Sequence, residues 1–106
     1  VIVFEDYLLV SFDHKNEETP NEMKRRNIWR INEDGTIAWK IEDKLDFWRN
    51  YFPDKKDLDD FLKAEEKNAF SLIFKKDDKI VANDGSGSEF FVDLETGKID
   101  FWKAEK

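Results

Sequence analysis

Few side chains in this sequence have the repertoire for catalysis, and their spacing decides what they can do. His14 is the sole histidine. It stands between Asp13 and Lys15 in a polar stretch, where it would act as a general base only if a remote group oriented its ring. With a single histidine and no cysteine, a zinc or other transition-metal centre would have to be built from carboxylates almost alone. A calcium loop needs glycine at its sixth position, an acidic first ligand and glutamate at the twelfth. Counting from Gly35 places Arg30 and Ile41 there, and counting from Gly85 places Ile80 and Phe91, so both loops fail. Asp84-Gly85-Ser86-Gly87-Ser88 has the flexibility of a phosphate loop but leads into a strand pattern, which makes it a hairpin turn. Ser11, Ser71, Ser86 and Ser88 lack a nucleophile-elbow context. No catalytic residue, cofactor or metal is expected, and the chain reads as a binding protein rather than an enzyme.

The elements that would position a binding surface follow from periodicity. Val1-Phe4, Tyr7-Phe12, Ile28-Asn32 and Thr36-Ile41 are short apolar runs, the last two joined by Glu33-Asp34-Gly35. Asp-Gly between alternating runs signals a hairpin, because glycine accepts the positive φ of a tight turn. The same grammar returns at Phe70-Lys75, Lys79-Asn83, Glu89-Leu94 and Lys98-Lys103. Alternation predicts one core face of Trp29, Ile31, Ile37, Trp39 and Ile41, with Arg30, Asn32, Thr36 and Lys40 opposite. In the second unit Phe90, Val92, Leu94, Ile99 and Phe101 face inward, and Phe91 and Trp102 face the other way. Between the units the period changes. Leu45, Trp48 and Phe52 form one helical stripe ended by Pro53, and Leu58, Phe61 and Leu62 form another, capped by Asp54 or Asp57. Asp13 to Lys24 reads as a polar loop.

The expected architecture is α+β. Two four-stranded antiparallel β-meanders, forming a curved sheet or a sandwich, flank a helical insert. Residues 1–106 make a single domain, with a first β unit at 1–42, the insert at 43–68 and a second β unit at 69–104. A chain of 106 residues leaves little room for a second core, and 15% aromatic content supplies bulk for one. The start at Val1 reads as a trimmed product or a piece of a longer chain.

Charged residues make up 41% of the chain and the net charge is -7. That balance disfavours nucleic acid and anionic membranes and favours a basic protein partner. Lys24-Arg25-Arg26 is the one basic cluster, better read as a strand-edge guard, or as partners for Glu17, Glu18 and Glu22, than as a nucleic-acid patch. The absence of a secretory pattern and of cysteine points to the cytoplasm.

At Asn27-Ile28-Trp29-Arg30-Ile31-Asn32-Glu33-Asp34-Gly35-Thr36-Ile37-Ala38-Trp39 and Phe91-Val92-Asp93-Leu94-Glu95-Thr96-Gly97-Lys98-Ile99 the sequence resembles the closing hairpins of quinoprotein-like β-propeller blades. It also resembles small bacterial proteins that reuse this hairpin, among them suspected immunity proteins of contact-dependent and other polymorphic toxin systems. Two blade-like units cannot close a propeller, which needs about four. The second resemblance implies a non-catalytic immunity protein that neutralises a cognate basic toxin, a nuclease in the first instance, by occluding its active site or substrate-binding surface. The partner-binding residues expected are Glu17, Glu18, Glu22, Asp57, Asp59, Asp60 and Glu66, with Tyr51 and Trp102 as aromatic anchors. The alternative is an interaction or scaffold module, or a small-ligand-binding β domain, within a larger protein.

Overall fold

The computed structural model describes residues 1–13, 17–85 and 87–104, with side chains as far as residue 102. The first β unit is β1 (Ile2–Val3), β2 (Tyr7–Ser11), β3 (Ile28–Asn32) and β4 (Ile37–Lys40). The second is β5 (Phe70–Lys76), β6 (Lys79–Asp84), β7 (Ser88–Val92) and β8 (Ile99–Ala104). Each forms its own four-stranded antiparallel meander in chain order, so there are two sheets and not one curved sheet. Helices α2 (Lys44–Tyr51) and α3 (Leu58–Glu65) form the insert. Asp43 caps α2 by accepting from the Leu45 N–H at 3.0 Å. Asp57 takes the cap position of α3 in the left-handed region, φ 61°, without a side-chain bond to the helix.

The stretch read as a loop contains a further helix, α1 (Asn21–Arg25). Pro20 sits at its N-cap with extended backbone, φ -55° and ψ 142°. One turn is too short to show an apolar stripe, and the residue it buries is Arg25.

Sheet A, β1 to β4, departs from the expected alternation. Arg30 pairs with Trp39 but Ile31 pairs with Ile37, leaving Ala38 as the extra residue of a bulge. The bulge reverses parity between Ile37 and Trp39. Trp39 and Ile41 join Ile28 and Leu9 inside, whereas Trp29, Ile31 and Ile37 lie on the outer face. Arg30 is therefore on the inner side. Its Nη1 donates to the Leu94 carbonyl at 2.8 Å, and its guanidinium lies 3.9 Å from the Tyr7 ring centre.

Sheet B, β5 to β8, keeps the expected inner face: Phe90 stands opposite Phe101, and Val92 opposite Ile99. Phe90 and Phe101 meet Trp48 of α2, whose indole also contacts Phe52 and Phe61, all at centroid distances of 5.3 to 5.7 Å. Offset and edge-on aromatic contacts of this kind add to simple area burial.

Polar bonds tie the two β units together. The buried Asn27 amide donates to the Phe12 and Phe70 carbonyls at 2.7 and 2.8 Å and accepts from the Phe70 N–H at 3.2 Å. Trp39 Nε1 donates to the Leu94 carbonyl at 2.9 Å, and Gly97, at φ +76°, lets the β7–β8 turn rest on the indole. Lys44 Nζ lies 3.0 Å from Asp84 Oδ2, both side chains buried.

Candidate partner-binding surface

The helical side of the molecule is assembled around Arg25. Its Nε and Nη2 donate to the two carboxylate oxygens of Asp43 at 2.7 and 2.8 Å, and its Nη1 donates to the Glu66 carbonyl at 2.7 Å. One buried guanidinium thus pins α1, the start of α2 and the end of α3. Burial pushes the Asp43 carboxyl up, but the hydrogen bonds from Arg25 and the Leu45 N–H, with the Arg25 charge, hold it below the ordinary carboxylate range. Such bidentate, charge-assisted contacts fix geometry as well as adding energy. Asn21 Nδ2 adds a bond to Glu66 Oε1 at 3.2 Å.

Between these three helices lies an open groove of about 480 Å³. Glu22, Asp59 and Glu66 stand around it, with Leu45 and Leu62 among its lining and Arg25, Arg49 and Lys63 as its cations. Arg25 is already engaged by Asp43, and Arg49 Nη1 lies 3.3 Å from Asp46.

The structure thus gathers three of the expected partner-binding residues at one groove. Asp57 and Asp60 are exposed at the start of α3, where Asp60 also favours the positive end of the helix. Glu17 and Glu18 are exposed ahead of α1. Tyr51 ends α2 half-exposed, its ring against Phe47, Phe52 and Phe101. Trp102 is elsewhere: it is the extra residue of a bulge between β7 and β8 and lies on the outer face of sheet B, stacked on Phe91 at 5.0 Å with Lys76 Nζ 4.2 Å from its ring centre. His14 lies outside the described residues.

The reading from sequence missed the residues that hold this surface, Arg25 and Asp43. Arg25 was read as part of a basic cluster, and only its neighbour Arg26 guards a strand edge, donating to the Ile41 and Lys40 carbonyls at 3.0 and 3.3 Å. The one signal available was Asp43 directly before the apolar stripe of α2, the position of a cap.

As for chemistry, among the described residues no group of three or more His, Cys, Asp or Glu is placed to hold a metal ion. Lys44 is the one lysine pushed down by burial among the described residues, against the opposing pull of Asp84. A lowered lysine can serve as a base or nucleophile, but side chains 0% and 1% exposed do not meet a substrate. Asn68 Nδ2 and the Ser88 N–H also donate to Asp84, at 3.3 and 3.0 Å, so the pair joins β6 to α2. No helix of the described residues is long and apolar enough to cross a membrane. No protein-family model matches the chain, and no curated protein or solved structure matches it significantly.

Proposed function

We propose that this chain is a non-catalytic immunity protein that binds a basic toxin domain, in the first instance a nuclease, and blocks its substrate-binding surface. The observation that supports this reading is the groove between α1, α2 and α3, where Glu22, Asp59 and Glu66 are presented by helices already locked through Arg25 and Asp43. Preorganised carboxylates lose little freedom on binding, which leaves more of their attraction as affinity. They would occupy the place of substrate phosphates in a cationic cleft, and the net charge of -7 would steer the encounter.

The test is reconstitution with the protein encoded next to this chain's gene. On this reading that neighbour is a toxin, and one equivalent of the chain abolishes its activity. Replacing Glu22, Asp59 and Glu66 by Gln, Asn and Gln should weaken inhibition by about a hundredfold or more, with thermal stability retained. A neighbour inhibited equally well by that triple variant would refute the assignment of the groove.

A further inference from the structure

The bulge that turns Trp39 inward leaves an apolar ladder outside. On the outer face of sheet A, Val3 pairs with Leu8, Leu8 with Ile31, and Ile31 with Ile37, one row across all four strands. Val3 is 71% exposed, Leu8 37% and Ile37 47%. Two residues along the strands a second row runs through Val10, Trp29 and Lys40. Phe12 packs on the Trp29 ring at 4.5 Å, and Met23, 42% exposed, lies beside it. Isolated exposed apolar residues are ordinary, but a continuous sheet face of them marks an interface.

The charges around this face identify what covers it. At one end of the strands the β1–β2 and β3–β4 turns carry Glu5, Asp6, Glu33 and Asp34, all exposed and drawn together by the Glu33 N–H bond to the Asp6 carbonyl at 3.2 Å. At the other end stand Arg26 and Lys40, the Lys40 ammonium lying 4.4 Å from the Trp29 ring centre, and Glu22 is 3.6 Å from the Arg26 guanidinium, which leaves these three with one cation in excess. The face is therefore apolar in the middle, strongly negative at one end and, through Lys40, weakly positive at the other. Such a surface is complementary to itself under a two-fold rotation about an axis running across the strands. That operation reverses strand direction, sets each negative end against the partner's positive end, and lays the Leu8-Ile31-Ile37 row over the partner's Trp29 row. Rotation about an axis along the strands would oppose acid to acid and is disfavoured.

The geometry points to a homodimer in which the outer faces of sheet A pack together, with strands antiparallel between the two copies. The groove between α1, α2 and α3 meets this face only at Glu22, and the inference rests on the sheet face and not on the proposed function.

The experiment is sedimentation velocity of the whole chain across low to high micromolar concentration. The wild type is expected to shift from monomer to dimer. Ile37→Lys and Leu8→Lys, both at exposed sites and each entering the interface twice, should raise the dimer dissociation constant by about a hundredfold or more, with unchanged circular dichroism. A charge swap tests the orientation. Glu33→Lys with Asp34→Lys in one chain, and Arg26→Glu with Lys40→Glu in another, should weaken each homodimer and give a heterodimer on mixing. Three results would overturn the inference: a wild type monomeric at several hundred micromolar, a dimer indifferent to both lysine variants, or swapped chains that do not pair. A monomer that uses this face only for a different protein falls under the first.

Discussion

Replacing Asp43 with alanine strips the helical surface of its anchor. The substitution leaves Arg25, whose side chain is 8% exposed, without its hydrogen-bonded carboxylate, and it removes the acceptor of the Leu45 N–H. Stranding one member of a buried pair costs about 3–5 kcal/mol, and loss of a cap costs about 1 kcal/mol. Because Arg25 keeps its bond to the Glu66 carbonyl, we place the total at about 3–4 kcal/mol, a large share of the roughly 5–15 kcal/mol that stabilises a domain. In urea, followed by tryptophan fluorescence, the midpoint should fall by roughly 2 M. The double variant Arg25→Met with Asp43→Asn keeps the cap acceptor and removes the stranded charge, so it should recover to within about 1–2 kcal/mol of wild type. The pH dependence has a definite sign. The Asp43 carboxyl titrates below its unfolded value in the native state. Its contribution is therefore complete above about pH 3.9 and is lost as pH falls through the folded pKa. Asp43→Asn should lack that part of the acid transition. A midpoint change under about 0.5 M for Asp43→Ala would refute this account.

Gly97→Ala would bring a Cβ to 2.7 Å from the Trp39 ring at φ +76°, combining backbone strain with overpacking, for about 2–4 kcal/mol. Gly35→Ala, at φ +88° with open space around it, should cost only about 1 kcal/mol, and thermal melts of the pair separate strain from clash. Asn27→Ala removes three hydrogen bonds, two of them between the β units, and strands the Phe70 N–H. The expected loss is about 2–4 kcal/mol, with faster hydrogen exchange at the Phe70 amide; unaltered exchange there would count against Asn27 as the tie.

Much of this fold was legible because the strands carry their own signals. Turn residues at Gly35 and Gly97 and period-two alternation gave eight strands, and the Trp48 stripe gave α2. In sheet B, Phe90, Val92, Ile99 and Phe101 lie inside as the alternation requires. In sheet A the expected core face was wrong for Trp29, Ile31 and Ile37, which lie outside. A bulge at Ala38 cannot be seen in Ile37-Ala38-Trp39, yet it sends Ile37 out and Trp39 in. Helix α1 was missed because five residues hold no period and its fixed point is a charge. Buried Arg25, Asn27, Lys44 and Asp84 escaped for a related reason: each is tolerated inside only because of a partner distant in sequence. Of the candidate surface, the acidic residues could be named from the sequence. Which of them share a groove depends on the Arg25 clamp, and Trp102 stands apart because it stacks on Phe91 on the outer face of sheet B.

The most direct test of the proposed role is the affinity of the chain for its neighbouring gene product, measured as a function of salt. Binding through Glu22, Asp59 and Glu66 to a basic cleft predicts a dissociation constant that rises steadily with ionic strength, through faster encounter at low salt, and a shallower slope for the neutralised triple variant. An affinity independent of salt, or a slope unchanged by the three substitutions, would contradict an acidic surface acting as a phosphate mimic.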